Sequence, residues 1–537
     1  MSKQHWIYEP SNAPDWDSQG VECFKHRDYK GAIECFQKAI ALDGRYARAW
    51  NHMAATLQTI GQLEEAEHHA RQAITYRSDY VEAHYNLGVI LKKRGHWREA
   101  KQCYRRAIEL RPGYIDAMTN LGNILNEYGE ADSALELFQN VLDRKPNDLA
   151  VRYNCSFCLK RLYRLDQAEQ LCLQILEEDD EFIPAMINLG DIYREYGDFE
   201  TAKSWFERVL NLQPSNPDAK FGLSMVLFLE GKWDQAWPLY ETRLDNPNRC
   251  VSSIPRSHRW DGSAQPDKTL VIICEQGLGD IVQFIRYVPL VRKRVGRLIF
   301  LCPSKFESLF RQVEGIDHYA RNTEGLKWDL GASLLSLPAL MGTTVDTVPP
   351  FSRYLQAPAE KVQLWRSRIG EGGCHVGLCW VGSKYNPRDR VRSLEFEQLL
   401  PLASVEGVHF HSLQVDEHAG GIEPFRHVMP VHDWSARLTD FTETAALIEN
   451  LDLVITCDTS VAHLAGAMAK PVWMMVSYIS DWRWLMDRED TPWYPTMRLF
   501  RQPAANDWSS VTDRIKNELA QWIQAIAGTK NPIRRAG

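Results

Sequence analysis

The residues best suited to chemistry in this chain of 537 residues include a glycine turn that follows an apolar run. The run at 271–274 leads into Glu-Gln-Gly-Leu-Gly-Asp, which ends at Asp280. Glycines let a backbone approach a ligand closely, and a helix that begins here offers unpaired N–H groups. Gly277 and Gly279 are therefore candidate ligand-binding residues, and Asp280 is either a general base or the N-cap of the helix. With only G-x-G-D and no following lysine, the turn is neither a P-loop nor a dinucleotide fingerprint.

A second candidate site begins where another predicted strand ends, in the sequence Asp-Thr-Ser-Val-Ala-His from Asp458 to His463. The N–H groups and hydroxyls of Thr459 and Ser460, with the dipole of the helix they open, form an anion site of diphosphate size. The Asp458 carboxylate would repel a phosphate, but it can accept a hydrogen bond from a sugar hydroxyl. His463 either contacts the ligand or is a buried structural histidine.

Two further segments carry cations or aromatic rings. The loop at 382–393 holds four cations in nine residues, which either neutralise a diphosphate or form a solvated charged loop: Lys384, Arg388, Arg390 and Arg392. Gln414, which follows the strand predicted over 408–413, is a further candidate ligand residue. Asp-Trp-Arg-Trp at 481–484 and Pro-Trp-Tyr-Pro at 492–495 either stack on sugars and bases or pack the C-terminal helix across a crevice.

These motifs need strands and helices to position them, and the second half of the chain supplies an alternation of both. Strands are predicted at 269–275, 297–303, 375–381, 408–413, 452–458 and 471–476. Helices are predicted at 279–294, 305–313, 394–402, 442–450, 461–469 and 509–527. The alternation is typical of parallel sheets with crossover helices, in which ligands bind beyond the carboxyl ends of the strands. We therefore predict two doubly wound domains, at 268–355 and 372–528, after a linker at 247–267.

The first half of the chain is a repeat array. Alanines recur every 34 residues, at Ala32, Ala66, Ala100, Ala134, Ala168, Ala202 and Ala236. Most of these alanines have a glycine five residues before them, and most have another glycine twelve residues before them. A bulky residue often stands four residues after the alanine, and a proline stands twelve residues after some of them. The pattern resembles the tetratricopeptide repeat, which predicts a solenoid of helix pairs over 13–246. Such an array is either a groove for a peptide or acceptor protein, in which Asn120 and Asn188 are suited to bind a peptide backbone, or a rigid spacer or dimerisation surface.

The cysteines and the overall charge limit the classes of function. Cys155 and Cys158 form the C-x-x-C of the chain, but they fall at apolar positions of the fifth repeat, so core packing is favoured over a redox or zinc site. The start of the chain has no apolar segment of a signal peptide, and twelve scattered cysteines are typical of reduced thiols, so a cytoplasmic location is expected. The formal net charge of −8 argues against a nucleic-acid partner, and no apolar run is long enough to predict a membrane span.

Residues 265–528 resemble the glycosyltransferase family typified by the ADP-heptose–lipopolysaccharide heptosyltransferases. The most specific matches are the Leu-Gly-Asp turn that ends at Asp280 and the stretch Asp-Thr-Ser-Val-Ala-His-Leu-Ala-Gly-Ala from Asp458. The whole chain resembles bacterial tetratricopeptide-repeat proteins that carry such a domain. This resemblance implies an all-α superhelix followed by an α/β pair of Rossmann-like, doubly wound domains of the GT-B type.

The resemblance also implies roles for individual residues. Asp280 takes the place of the base that activates the acceptor hydroxyl, and a nucleobase is expected near Leu438. Ser460 stands where the family has glycine, which keeps the N–H donor but narrows the space. Arg392, and after it Lys384, best matches a lysine of the family that contacts the diphosphate. The candidate donor-binding residues are Gly277, Gly279, Lys384, Arg392, Gln414, Leu438, Asp458, Thr459, Ser460 and His463.

The implied reaction is an inverting transfer of a sugar from a nucleotide-diphosphate sugar to an acceptor hydroxyl, without cofactor or metal. Residues 250–537 contain no D-x-D, the pair that a metal-dependent transferase uses, and we interpret Asp15 and Asp17 as surface charge. The partners expected are the nucleotide sugar and a protein or peptide on the concave face of the repeats. The alternative is a non-catalytic scaffold, or a nucleotide-sugar-sensing adaptor with a degenerate transferase domain.

Overall fold

The computed structural model describes residues 10–246, 254–275, 277–350, 353–383, 386 and 388–529. The chain divides into two compact units, the first ending at Asp180 and the second beginning at Glu181. The first unit is helical, and the second combines helices with two parallel sheets. In the described part of the chain, no helix is both long enough and apolar enough to cross a membrane.

Helix pairs with a repeat of 34 residues make up the first unit and the beginning of the second. The helices of the first unit are α1 (Ala13–Lys25), α2 (Tyr29–Leu42), α3 (Ala47–Thr59), α4 (Leu63–Tyr76), α5 (Val81–Lys93), α6 (Trp97–Leu110), α7 (Ile115–Glu127), α8 (Ala131–Leu142), α9 (Leu149–Arg161) and α10 (Leu165–Glu178). Those of the second unit are α11 (Ile183–Tyr196), α12 (Phe199–Leu212), α13 (Pro217–Leu229) and α14 (Trp233–Tyr240). The turn inside each pair contains a residue in the left-handed conformation, which explains the recurrent glycine. In the fifth pair Tyr163 adopts it with φ of 59°.

Glycine and a large ring are matched across each of several helix pairs. A Cβ atom added to Gly88 would lie 2.6 Å from the Tyr104 ring, so the second helix can approach only because the first has no side chain there. In the fifth pair the same positions hold Ser156 and Cys172, and the Cys172 thiol donates to the Ser156 hydroxyl at 3.3 Å. The small pair replaces the combination of glycine and ring.

Two predictions about the repeat residues can be checked directly. Cys155 and Cys158 are buried, and burial raises the pKa of each thiol to about 12, which agrees with core packing. The interpretation of Asp17 as surface charge is wrong. Its side chain is buried, and it lies 2.7 Å from His52 Nδ1 and 3.1 Å from Arg48 Nε. Packing of the first helix thus determines the position of Asp17, which the D-x-D spacing alone does not show.

Two parallel sheets form the α/β part. The first contains β1 (Gln265–Ile273), β2 (Val295–Leu301), β3 (His318–Ala320) and β4 (Leu330–Ser333), in the order β3-β2-β1-β4. The second contains β5 (Cys374–Cys379), β6 (Val408–Ser412), β7 (Val431–Asp433), β8 (Leu453–Cys457), β9 (Val472–Val476) and β10 (Met497–Arg501), in the order β10-β9-β8-β5-β6-β7. This second order is that of a Rossmann fold, with a switch of direction between β5 and β8. The predicted fold class is confirmed.

The helices of the α/β part differ from the prediction in detail. They are α15 (Leu278–Phe284), α16 (Val288–Arg292), α17 (Ser304–Phe310), α18 (Leu337–Leu340), α19 (Ala359–Ile369), α20 (Asp389–Arg392), α21 (Phe441–Glu449), α22 (Ser460–Ala467) and α23 (Trp508–Thr529). The helix predicted at 279–294 is interrupted by a 3-10 turn, Ile285–Tyr287, with Pro289 just beyond it. The helix predicted at 394–402 is a 3-10 helix, Phe396–Ser404, because Pro401 interrupts the α-helical hydrogen bonds.

The core of the second unit runs from the last helix pair into the α/β part without interruption. The Trp233 ring stacks on Trp493 with 5.2 Å between centroids, and the Phe228 ring stacks on Trp482 at 4.5 Å. Trp482 and Trp493 are buried in these contacts. The suggestion that they stack on a sugar or base is therefore wrong, and their packing partners are repeat helices rather than the C-terminal helix.

Candidate active site

A cavity of about 950 Å³ lies where loops from both sheets meet. It is lined by residues that follow the carboxyl ends of β1, β5, β6 and β8, as parallel sheets of this kind place their ligands. Of the sequence-predicted site residues, the cavity is lined by Gly277, Gly279, Asp280, Arg392, Gln414, Leu438, Asp458, Thr459, Ser460 and His463. Lys384 lies outside the described residues.

The glycine turn brings Asp280 to one wall of this cavity. The N-cap of α15 is Gly277, and Asp280 is the third residue of the helix, so the suggestion that Asp280 is the N-cap is wrong. Arg483 donates to Asp280 Oδ1 at 2.5 Å, and the carboxylate keeps 18% of its side-chain surface exposed. Burial raises the pKa of Asp280 above its ordinary value, although the Arg483 charge opposes the rise. The result is a partly accessible carboxylate that is more basic than usual.

Gly279 lies where α15, which follows the first sheet's strand β1, approaches α22, which follows the second sheet's strand β8. Helices α15 and α22 pack together, and a Cβ atom on Gly279 would lie 2.8 Å from His463 Cδ2. Nδ1 of His463 forms a hydrogen bond with the Tyr494 hydroxyl at 2.8 Å. Burial lowers the pKa of His463 to about 3, so the imidazole is neutral near pH 7. His463 therefore combines two suggested roles, since it is buried and also lines the cavity.

The second wall is the start of α22. Thr459 is the N-cap in an extended conformation, and its side chain makes no capping hydrogen bond. Its hydroxyl lies 3.2 Å from that of Thr456 instead. Thr459, Ser460 and Val461 line the cavity, so the start of this eight-residue helix borders it, and the side chain of Thr459 does not cap the first-turn amides.

Arg392 brings a guanidinium beside those amides, and its Nε pairs with Asp389 Oδ1 at 3.3 Å. Its Nη1 donates to the Asp458 carbonyl at 2.7 Å, and a Cβ atom on Gly382 would lie 2.4 Å from its Nη2. Arg388, which the sequence grouped with Arg392, is engaged elsewhere: it pairs with Glu195 of α11 and donates to the Ile479 carbonyl. Of the two, Arg392 lines the cavity.

The Asp458 carboxylate also lines the cavity, within 3.9 Å of His463 Nε2. Burial raises its pKa, and the nearby Asp481 carboxylate raises it further. A carboxylate of this kind accepts hydrogen bonds from hydroxyls and repels phosphate, as the sequence suggested.

Apolar side chains form part of the cavity wall, next to Thr439, Asp440 and Thr444. Leu438 is buried there, and the rings of Phe306 and Phe441 meet edge to face at 5.8 Å. Gln414 has a supporting position: its Oε1 accepts from Val381 N at 3.1 Å and its Nε2 donates to the Val381 carbonyl at 3.1 Å. Gln414 therefore ties the ends of β5 and β6 together.

Arg483 is the residue of the site that sequence reasoning missed. Besides Asp280 it binds Asp481 Oδ1 at 2.8 Å and Gln283 Oε1 at 2.6 Å. Asp280 and Arg483 are 203 residues apart, so spacing could not connect them. The available signal was an arginine between two tryptophans in the Asp-Trp-Arg-Trp stretch.

Comparisons with known proteins relate two regions of the chain to families. Models of the tetratricopeptide repeat match residues 35–68, 81–114, 125–189 and 183–216. A model of glycosyltransferase family 9 (heptosyltransferase) matches residues 436–475, which include Asp458, Thr459, Ser460 and His463. The chain therefore carries tetratricopeptide repeats followed by a glycosyltransferase-like α/β region, which confirms the predicted resemblance.

Individual relatives cover parts of the chain. Protein FlbA of Caulobacter vibrioides (strain ATCC 19089 / CIP 103742 / CB 15) is 26% identical over 368 residues, which are 62% of this chain and 60% of FlbA. The crystal structure of YrrB, a TPR protein with an unusual peptide-binding site, is 24% identical with a TM-score of 0.32, and covers 35% of this chain and 96% of YrrB. The structure of MamA 41-end from Desulfovibrio magneticus RS-1 is 21% identical with a TM-score of 0.30, over 32% of this chain and 96% of that MamA chain. The protein described here is, in these terms, a tetratricopeptide-containing, glycosyltransferase-like protein.

Proposed function

We propose that the protein transfers a sugar from a nucleotide-diphosphate sugar to an acceptor hydroxyl without a metal ion, in the manner of a heptosyltransferase. One observation supports this most: a partly exposed carboxylate with a raised pKa, Asp280, shares a cavity with the open N-terminus of α22 and Arg392. A base and an anion site on facing walls are what an inverting displacement requires.

In the proposed reaction, the acceptor oxygen attacks the anomeric carbon of the donor and its proton passes to the Asp280 carboxylate. The bond between that carbon and the diphosphate oxygen breaks, and the electron pair leaves with the nucleoside diphosphate. The amides of Ser460 and Val461 and the Arg392 guanidinium stabilise the departing negative charge. Arg483 binds one oxygen of Asp280 and so orients the carboxylate.

The rest of the cavity would hold the donor. Asp458 would accept a hydroxyl of the sugar, and the neutral His463 would lie against it. The apolar part of the wall, with Leu438, Phe306 and Phe441, would contact the nucleobase, because aromatic and aliphatic side chains provide a flat apolar surface there.

The repeats would recruit a protein or peptide acceptor. In the first unit, polar side chains of successive first helices bond to one another: Asn86 donates to Asn51 at 2.9 Å and Asn120 donates to Tyr85 at 3.2 Å. Asn188, in the second unit, is buried, so it is the less suitable residue for a peptide backbone. An Asn86→Ala, Asn120→Ala double variant should raise the KM for a protein acceptor and leave the KM for the donor unchanged.

A cytoplasmic location of the protein stays a prediction.

The test begins with melting temperatures in the presence of nucleoside diphosphates and their sugars, because a ligand that binds the folded state stabilises it. With the donor so identified, donor hydrolysis and transfer are measured for the wild type and Asp280→Asn, with and without EDTA. Turnover that persists in EDTA and is lost in Asp280→Asn supports the proposal. Nucleotide binding without turnover would instead support the sensing adaptor, and neither binding nor turnover would support the scaffold.

A further inference from the structure

The last two helix pairs, together with the segment that follows α14, contact three segments that carry the proposed chemistry. These are the glycine turn before Asp280, the basic loop with Arg388 and Arg392, and the Asp-Trp-Arg-Trp stretch with Arg483. Besides Phe228 and Trp233, which stack on the aromatic residues around Arg483, two ion pairs connect repeat helices to site loops. One joins the segment after α14 to the end of β1, and the other joins α11 to the basic loop. These contacts all lie within the second compact unit.

The first ion pair lies directly before the glycine turn. Arg243 follows α14, and its Nη2 donates to Glu275 Oε1 at 3.1 Å while its Nε lies 3.3 Å from Glu275 Oε2. Ser333 and Ser336 accept from the same guanidinium at 3.2 Å and 3.0 Å. The side chains of Arg243 and Glu275 are only 4% and 2% exposed, so the fork geometry is held in a low-dielectric setting. Glu275 is five residues before Asp280, on the same turn.

The second ion pair reaches the basic loop. Arg388 binds Glu195 of α11 through Nη1 and the Ile479 carbonyl through Nη2. Arg388 is the N-cap of α20, the short helix that ends at Arg392. Arg388 and Arg392 thus lie at the two ends of one helical turn, which connects the Glu195 contact to the position of Arg392 beside the start of α22.

We infer that the last two helix pairs and the segment after α14 are a positioning part of the active site, in which Arg243 holds the turn of the base and Glu195 holds the loop of the diphosphate-binding arginine. The two contacts act on opposite sides of the chemistry. Loss of the Arg243 contact affects the rate of the displacement, and loss of the Glu195 contact affects the affinity for the diphosphate. This inference rests on the proposed function for its kinetic consequences.

The chain offers a matched control for the Glu195 contact. Glu230, at the C-cap of α13, pairs with Lys203 of α12 at 3.0 Å, and its side chain is 15% exposed against 9% for Glu195. Glu230→Gln therefore breaks a similar ion pair between repeat helices that does not touch the cavity. Glu195→Gln and Arg388→Gln each remove one charge of the site ion pair, from its two sides, so a folding defect in one still leaves the other.

The experiment measures the binding of ADP, GDP, UDP and CDP by calorimetry and the rate of transfer at saturating substrate. It also measures the hydrogen exchange of backbone amides at 277–284, which include Asp280, and at 388–393, which include Arg392, in the full chain without ligand. Glu195→Gln should weaken binding of the tightest diphosphate about fivefold or more and speed exchange at 388–393 only, whereas Glu230→Gln changes neither. Arg243→Lys keeps the charge but loses the fork, and should lower kcat and speed exchange at 277–284.

Two outcomes would overturn the inference: equal behaviour of Glu195→Gln and Glu230→Gln in both binding and exchange, or a loss in Arg243→Lys that falls on diphosphate affinity instead of kcat. If the wild type binds none of the four diphosphates and transfers nothing, the proposed function fails. The exchange comparison then still decides whether the repeats hold the two loops in position.

Discussion

The two turns that line the cavity after β1 and β8 are built from similar elements but differ in what they present. After β1, the turn presents the carboxylate of Asp280, which Arg483 holds by one oxygen. After β8, the turn presents backbone amides, because Thr459 leaves the first turn of α22 uncapped. In the proposed reaction, one strand–turn–helix motif supplies a base through its side chain, and the other supplies an anion site through its backbone.

Replacing Asp280, the side chain that the turn after β1 presents, should have the largest effect on the rate of transfer. Asp280→Asn keeps the shape of the side chain but removes the base, so transfer should fall by about 10²- to 10⁴-fold. Asp481→Asn is the matched control, because it removes the other carboxylate bound to Arg483 and should cost far less. Rates of transfer at saturating donor measure both. Equal losses in the two variants would show that Arg483, rather than the base, is what matters.

Removing one backbone N–H group of the turn after β8 should have the next largest effect, a loss of affinity for the nucleoside diphosphate. Ser460→Pro fits the first position of α22, where proline is tolerated after an extended residue such as Thr459, but it has no N–H. The lost hydrogen bond to a charged group is worth about 1.5–3 kcal/mol, so the affinity for the nucleoside diphosphate should fall by roughly 10- to 100-fold. Ser460→Ala keeps the N–H and should bind nearly as the wild type does. Calorimetric titration separates the two variants, and similar affinities would exclude the amide as a ligand.

Widening the contact between α15 and α22 should lower kcat/KM by a moderate amount. Gly279→Ala places a methyl group 2.8 Å from His463 Cδ2, which forces the two site helices apart, and we expect a loss of about tenfold in kcat/KM. Gly277→Ala meets its first neighbour, Asp280 Oδ2, at 3.7 Å, an ordinary contact, and should be mild. If both alanines cost the same, the close approach of the helices is not required.

The smallest effect near neutral pH concerns protonation. The Asp280 carboxylate acts as a base only above its pKa, where it is ionised, so kcat/KM should fall tenfold for each pH unit below that pKa. Because burial raises the pKa of Asp280, this fall should begin at a higher pH than it would for an ordinary aspartate. His463, with a pKa of about 3, stays neutral and adds no limb between pH 5 and 8. A pH–rate profile checks both statements. An acid limb no higher than that of an ordinary aspartate would contradict the raised pKa of Asp280.

The repeat register and the cavity-lining residues could be predicted because they depend on local spacing. The left-handed turn position follows from the 34-residue period, even where Tyr163 replaces glycine. Strands β3 and β7 have three residues each and contain no apolar alternation long enough to detect. The pairing of Arg483 with Asp280 and the burial of Trp482 by Phe228 depend on tertiary packing over about 200 or more residues, which spacing does not reveal.

The exchange of glycine and ring for serine and cysteine between repeats has a consequence for how such arrays tolerate change. Gly88 and Tyr104 share one volume, as do Ser156 and Cys172, so within each couple the size of one member limits the size of the other. Altering one member alone overfills the space or leaves a void, at a cost of about 1–5 kcal/mol, whereas a matching change in the other member offsets part of that cost. The fifth repeat therefore shows how such an array accepts new residues at a helix contact, namely two positions at a time.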